Sequence, residues 1–173
     1  MTMKKMSMLF LMAALPLIVC NSCSKSDTYS NVDEMIAEAS KYVTEITVKE
    51  LKSYFDDGEL FTLVDVREPG EHNFGFIPGS VNIPSGLLPF NIGKDEFWES
   101  EFLYRPEKDE LIVVYCKKGK RGILAAKTLQ ELGYTNIKNL QGGWKKWELT
   151  YPLEYEKKLE DLHAVPHKEE GGC

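Results

Sequence analysis

The chain has 173 residues, of which 43% are hydrophobic and 28% are charged, and its formal net charge is −6. This balance is ordinary for one globular domain and excludes a fibrous class or one that is disordered throughout. Without the N-terminal segment that contains Lys4 and Lys5, 19 basic residues stand against 27 acidic ones, a net charge of −8. A protein this acidic has no general attraction for nucleic acid or anionic lipid, so any positive site must be local.

The first 22 residues have the composition of a secretory signal. Lys4 and Lys5 precede an apolar run over residues 9–19, and small polar residues follow it. The run is shorter than the roughly 20 apolar residues that span a bilayer, and Pro16 interrupts it. A buried N-terminal helix is the alternative interpretation. The order of the segments favours a signal peptide.

The end of this segment resembles the lipobox of bacterial lipoproteins, in which cleavage occurs just before a cysteine that then carries lipid. Ser22 is a suitable small residue before Cys23, although Cys20 stands where an aliphatic residue is more usual. The resemblance implies a signal peptide over residues 1–22 and lipid on Cys23. It also implies an exported protein, anchored to a bacterial membrane on the periplasmic side or at the cell surface, because several acyl chains on one cysteine anchor stably.

Residues 23–43 are predicted to form a polar tether and a lead-in helix that begins near Asn31. The apolar residues of this helix recur at near-helical spacing, at Met35, Ile36, Ala39 and Val43. A second helix is predicted from the capping box of residues 47–50 and ends at residues 57–58.

The remaining elements alternate between strands and helices. Strands are predicted over residues 61–66, 81–83, 111–115 and 137–140. Residues 67–80 are predicted to be loop, and residues 85–108 a short helix plus loop. One helix is predicted to run from residue 123 to a glycine C-cap at Gly133, and another short helix to begin at residues 142–144. This alternation predicts an α/β fold with a mostly parallel central sheet flanked by helices. Residues 151–173 are predicted to be a charged tail, helical from Leu153 to near Pro166.

Cys116 directly follows the clearest strand and begins a short loop before a helix. In open α/β sheets, ligands bind beyond the carboxyl ends of the strands. Loop amides and a helix N-terminus can hold an anion there, and they favour a thiolate that acts as a nucleophile at neutral pH. The loop adds positive charge and glycines that let the backbone close, at Lys117, Lys118, Gly119, Lys120, Arg121 and Gly122. A buried structural thiol beside four solvated cations is the alternative.

Five segments resemble, in order, the signatures of single-domain rhodanese-like proteins, and the resemblance spans about residues 44–150. They are residues 63–68, 76–84, 114–121, 125–126 and 140–144. The resemblance implies a rhodanese-like domain with sulfurtransferase activity. In this family the loop cysteine takes sulfane sulfur from a donor such as thiosulfate, forms a persulfide, and gives the sulfur to an acceptor such as cyanide or a thiol.

Carried over to this chain, the resemblance makes Cys116 the catalytic nucleophile and residues 117–122 the substrate-binding loop. It gives Asp65 and Arg67 a supporting role from the neighbouring strand, for which a brace within the core is an equal alternative. The chain departs from the family at Phe76, where histidine often precedes Ile-Pro-Gly, and we expect altered packing there rather than lost activity. His72 is expected to be solvated or structural rather than catalytic.

Two other functions compete with sulfur transfer. A related fold supports cysteine phosphatases and arsenate reductases, which resemble a loop with five residues between cysteine and arginine. Only four residues separate Cys116 from Arg121, so this loop is less able to surround a tetrahedral anion. The second alternative is a non-catalytic, lipid-tethered binding module with an idle loop.

The expected partners are a small anionic sulfur donor, a thiol or cyanide acceptor, and the membrane through the lipidated N-terminus. No nucleic acid, metal or organic cofactor is expected, and a monomer is the default. In the tail, His163, His167 and Cys173 could be metal ligands, but Pro166 disrupts the helical face that the two histidines would share, and a solvated tail is the alternative. Cys173 follows two glycines and could reach Cys116 to accept its sulfur or form a disulfide.

Overall fold

The computed structural model describes residues 28–158, in which helices and strands alternate along the chain. The helices are α1 (Val32–Ala39), α2 (Val48–Asp57), α3 (Pro69–Asn73), α4 (Leu88–Asn91), α5 (Asp95–Ser100), α6 (Lys120–Glu131) and α7 (Gly143–Thr150). The strands are β1 (Thr44–Ile46), β2 (Thr62–Asp65), β3 (Ser80–Asn82), β4 (Ile112–Tyr115) and β5 (Ile137–Leu140).

The five strands form one sheet in the order β1-β5-β4-β2-β3, and every neighbouring pair is parallel. Strand β4 lies at the centre, and all four of its residues are buried because helices cover both faces of the sheet. The predicted α/β fold with a mostly parallel sheet flanked by helices is confirmed.

Each face of the sheet has its own hydrophobic cluster, because successive strand residues point to opposite sides. Val114 and Cys116 belong to the cluster that also contains Leu129 of α6. Val113 and Tyr115 belong to the other cluster, with Trp147 of α7. Cys116 therefore lies on the α6 side of the sheet.

Helix α1 packs against the α6 face. The side chain of Asn31 accepts a hydrogen bond from the N–H of Glu34 and caps the helix. Ala39 and Val43 are buried in the cluster that contains Cys116. The lead-in helix predicted from the sequence therefore contributes to the core. Across residues 28–158 the helices are too short or too polar for any one of them to cross a bilayer.

The local signals were accurate at the second helix. Thr47 and Glu50 form the reciprocal capping box, and Gly58 ends α2 in the left-handed conformation. The predicted strands over residues 61–66, 81–83, 111–115 and 137–140 are confirmed to within one residue at each end.

Four predictions of local structure were incomplete or wrong. Strand β1 was missed, α3 lies inside the predicted loop, and residues 85–108 contain two short helices. The predicted tail helix is wrong over residues 153–158, where no helix forms. Instead the backbone of Glu156 pairs with that of Phe76 in an antiparallel bridge, which satisfies the hydrogen bonds that a helix would have made.

Residues 1–27 and 159–173 lie outside the described part of the chain. The predicted signal peptide, the lipid on Cys23, the possible ligands His163 and His167, and the second thiol Cys173 all fall on these residues.

Candidate active site

Cys116 lies at the carboxyl end of β4, where the chain leaves the sheet and turns into α6. Its side chain is only 2% exposed and packs within the core cluster on the α6 side. The N–H of Gly119 donates a hydrogen bond to Cys116 Sγ over 3.2 Å. The sulfur therefore lies at the bottom of the loop, beneath the surface, and it accepts a hydrogen bond from the loop backbone.

The first turn of α7 holds this loop from outside. The N–H of Trp144 donates to the carbonyl oxygen of Cys116 over 2.8 Å, and the N–H of Lys145 donates to that of Lys117 over 3.0 Å. Gly119 has a φ of +98°, a conformation that favours glycine, and this turns the chain sharply before α6. The first two carbonyl groups of the loop, those of Cys116 and Lys117, are therefore occupied by α7.

Most N–H groups of the loop, by contrast, donate no hydrogen bond within the described part of the chain. Within residues 28–158, five of these N–H groups have no hydrogen-bond acceptor; they belong to Lys117, Lys118, Lys120, Arg121 and Gly122. Consecutive free N–H groups at the start of a helix are the donors that bind an anion in many proteins. The loop can therefore offer donors to an anionic sulfur compound without breaking internal hydrogen bonds.

Asn139, on β5 beneath the loop, was missed by the sequence analysis. Its side chain is fully buried, and its Nδ2 donates to Glu45 Oε1 over 2.7 Å. Its Oδ1 has no hydrogen-bond partner in the described residues and lies so close to Gly122 that a Cβ there would be 2.1 Å away. The sequence signal that could have identified Asn139 is a polar residue in a strand whose other inward positions are apolar.

Arg121 forms an ion pair that the sequence analysis did not anticipate. Its two terminal nitrogens donate to the two carboxylate oxygens of Glu71 over 2.7 and 2.9 Å. These hydrogen bonds from Arg121 lower the pKa of Glu71, so the carboxylate stays charged at neutral pH. Arg121 therefore faces an opposing charge before any substrate arrives.

The three lysines of the loop differ among themselves. Lys120 Nζ lies 2.5 Å from Asp33 Oδ1 of α1, and both side chains are largely exposed. Lys117 and Lys118 are exposed and pair with no carboxylate in the described residues. The structure thus brings all four predicted cations to one loop but leaves only two of them unpaired.

Asp65 and Arg67 form a buried brace beside the loop. Arg67 Nε lies 2.9 Å from both carboxylate oxygens of Asp65, and the two side chains are 2% and 0% exposed. Burial opposes ionisation, but hydrogen bonds from His72 and Arg67 together hold the pKa of Asp65 below its ordinary value. The brace therefore consists of two full charges within the core.

The brace reaches the loop through α3. Arg67 Nη1 donates to the carbonyl oxygen of Glu71 over 3.2 Å, and Arg67 Nη2 donates to that of Gly75 over 2.8 Å. The carboxylate of Glu71 in turn holds Arg121. The two roles foreseen for Asp65 and Arg67, core brace and loop support, are joined in one chain of contacts.

His72 and Phe76 pack together beneath this brace. His72 is 2% exposed, its Nδ1 lies 2.9 Å from Asp65 Oδ2, and its ring stacks on Phe76 with centroids 4.2 Å apart. Of the two roles expected for His72, the solvated one is wrong. Phe76 is buried too, so the residue at which the chain departs from the family lies in the core.

Comparison with known proteins agrees with this geometry. Residues 47–150 match the rhodanese-like domain. A putative mitochondrial thiosulfate sulfurtransferase of Schizosaccharomyces pombe is 38% identical over 87 residues, which cover 49% of this chain and 61%, less than two thirds, of that protein. The human thiosulfate:glutathione sulfurtransferase is 35% identical over 106 residues, covering 59% of this chain and 90% of the relative.

Two solved structures share the fold of this chain. Human single-domain sulfurtransferase TSTD1 has a TM-score of 0.57 and 30% identity, and the match covers 61% of this chain and 95% of that one. A Rhodopseudomonas palustris protein of unknown function, described as a possible tyrosine phosphatase, has a TM-score of 0.60 and 28% identity, with 71% and 93% covered. The matched residues 47–150 run from the N-cap of α2 to the end of α7, so α1 and β1 lie outside the family match.

Proposed function

The chain belongs to the rhodanese-like domain family, in which several of its relatives are named sulfurtransferases, and we propose that it moves sulfane sulfur through a persulfide on Cys116. The Cys116 thiolate attacks the outer sulfur of a donor such as thiosulfate. The sulfur–sulfur bond of thiosulfate breaks, and sulfite leaves with the electron pair. An acceptor thiolate or cyanide then attacks the outer sulfur of the persulfide and releases the Cys116 thiolate.

The observation that carries this proposal is the arrangement of N–H groups around one sulfur. Gly119 already donates to Cys116 Sγ, and five neighbouring N–H groups of the loop have no acceptor within residues 28–158. A persulfide extends the side chain by one sulfur–sulfur bond, about 2 Å, and carries its negative charge on the outer sulfur. The free donors suit both that charge and the charge of the donor anion.

Burial of Cys116 determines how a donor would reach its sulfur. At 2% exposure the sulfur is shielded from bulk solvent, so the donor must present its outer sulfur over the loop, among the free N–H groups. Electrostatic interactions are stronger where water is excluded, which increases the benefit of these donors to a thiolate or persulfide.

A sulfurtransferase assay on the full chain tests the proposal. With thiosulfate and cyanide, we expect thiocyanate to form, and we expect thiosulfate alone to add one sulfur atom to the protein by intact mass. Cys116→Ser should lose both signals, whereas Cys173→Ser, the matched control, should still gain sulfur. Failure of the unmodified chain to gain sulfur from thiosulfate or from a persulfide donor would overturn the proposal, and hydrolysis of an aryl phosphate in its place would favour a phosphatase.

We also propose, from the N-terminal sequence alone, that the protein is exported and carries lipid on Cys23, with the domain tethered by residues 24–30. The proposed partners are the sulfur donor, a thiol or cyanide acceptor, and the membrane. Expression in a bacterial host tests the anchor. The protein should partition with membranes, and Cys23→Ser should release it; membrane association that is unchanged in Cys23→Ser would contradict lipid at this position.

A further inference from the structure

The charge at the mouth of the loop is set by residues from outside it. Four cations lie on the loop, but Arg121 is paired with Glu71 of α3 and Lys120 with Asp33 of α1. The two ion pairs differ in their setting. The Arg121 and Glu71 side chains are 38% and 30% exposed and meet through two hydrogen bonds, whereas those of Lys120 and Asp33 are 65% and 71% exposed and meet through one. The Glu71 pair is therefore the stronger of the two.

The folded core holds Glu71 in place. Its carbonyl oxygen accepts a hydrogen bond from Arg67 Nη1, and its N–H donates to the carbonyl oxygen of Glu68 over 2.9 Å. Arg67 is itself fixed by the buried contact with Asp65. The backbone of Glu71 thus cannot move far without disturbing the brace, and its carboxylate, held by Arg121, is ionised at neutral pH. The Glu71 carboxylate therefore places a negative charge beside the anion-binding loop.

We propose that Glu71 is a specificity-determining residue that makes the site favour sulfur donors with a single negative charge over dianionic thiosulfate. The inference rests on the proposed sulfur transfer through Cys116. A fixed carboxylate repels a dianion about twice as strongly as a monoanion at the same place. It also occupies both terminal nitrogens of Arg121, the group best suited to hold an anion by two parallel hydrogen bonds.

A pair of donors that differ in charge but share the same chemistry isolates this effect. Thiosulfate is a dianion, and the Cys116 thiolate takes its outer sulfur while sulfite leaves. Methanethiosulfonate is a monoanion, and the thiolate takes its outer sulfur in the same way while methanesulfinate leaves. In both cases one sulfur–sulfur bond breaks, one forms, and the charge of the leaving group equals that of the donor.

The test is the ratio of kcat/KM for methanethiosulfonate to kcat/KM for thiosulfate, measured on the full chain with one acceptor. Glu71→Gln removes the charge but keeps the shape and one acceptor for Arg121. We expect it to lower the ratio on the order of tenfold, the effect of one unit charge in a partly solvated site. Glu71→Asp keeps the charge and should keep the ratio, even if both rates fall.

Asp33→Asn is the matched control, because it makes the same chemical change in the exposed partner of Lys120. We expect it to change the ratio by less than about twofold. A ratio in Glu71→Gln that equals that of the unmodified chain would overturn the inference and leave the proposed function intact, since Glu71 would then have a structural role only. Absence of sulfur transfer from both donors in the unmodified chain would overturn the proposed function itself.

Discussion

Gly143, the first residue of α7, lies against the main-chain carbonyl of Cys116. A Cβ placed on Gly143 would be 2.0 Å from that oxygen, far inside van der Waals contact, and Gly143 also has a φ of +56°. The next residue, Trp144, donates its N–H to the same oxygen. The loop that begins at Cys116 is therefore supported by a backbone-to-backbone contact that only glycine permits.

Gly143→Ala should push the first turn of α7 away from the carbonyl group of Cys116. We expect the free energy of unfolding to fall by about 2 kcal/mol or more, because the new methyl group meets backbone atoms that cannot move aside. Sulfur transfer from thiosulfate should fall at least tenfold, since Cys116 and its donors shift. Urea denaturation and the cyanide assay measure the two effects.

Gly133 provides the control for that substitution. It follows α6 with a φ of +88°, but a Cβ there meets no atom within 4 Å. Gly133→Ala should cost about 1 kcal/mol from backbone strain alone and leave turnover unchanged. Equal losses of turnover in the two variants would mean that the contact between Gly143 and Cys116 does not determine turnover.

Gly122 and Asn139 form a second tight contact beneath the loop. Gly122→Ala places a methyl group 2.1 Å from Asn139 Oδ1 and should cost about 2 kcal/mol of stability. In an Asn139→Ala background the same change should cost little, because the methyl group enters the space that the amide leaves. A thermodynamic cycle over the four proteins measures the coupling, which we expect to be about 1–2 kcal/mol. Strictly additive effects on the free energy of unfolding would show that the introduced methyl group and the Asn139 amide do not compete for this space.

The buried brace should make stability depend on pH. Asp65→Asn leaves the Arg67 charge buried without an opposite charge and should lower the free energy of unfolding by about 3–5 kcal/mol at pH 7. The pKa of Asp65 is lowered in the folded state, so its carboxylate stabilises fully above the unfolded pKa, about 4, and this stabilisation is lost as the pH falls towards the folded pKa. The difference in the free energy of unfolding between the unmodified chain and Asp65→Asn should therefore narrow as the pH is lowered below about 4. Urea denaturation at a series of pH values measures it, and a gap that stays constant or widens on acidification would contradict the assigned sign.

The loop lysines should contribute unequally to thiosulfate binding. Lys117 and Lys118 pair with no carboxylate within residues 28–158, whereas Lys120 is neutralised by Asp33. Lys117→Ala and Lys118→Ala should each raise KM for thiosulfate about threefold, and Lys120→Ala should raise it less. Initial rates at fixed ionic strength measure these values. A larger effect at Lys120 than at the other two would show that its ion pair with Asp33 opens in solution.

Features encoded in a few consecutive residues could be predicted. The capping box at Thr47 and Glu50, the buried run of β4 and the glycine after α6 each depend on local rules of backbone geometry. Cys116 and its loop could be located for the same reason, since strand, loop and helix are contiguous. Strand β1 was missed because it has three residues and two of them are exposed, which leaves almost no pattern to detect.

The sequence by itself determined where the proposed nucleophile, Cys116, lies and that a loop and a helix N-terminus follow it, because both are properties of one uninterrupted segment. Only the tertiary structure decided the charge around that segment. Glu71 is 50 residues from Arg121 and Asp33 is 87 from Lys120. Whether such carboxylates meet the loop depends on how α3 and α1 pack, and that packing results from burial of apolar side chains across the whole domain rather than from any short pattern.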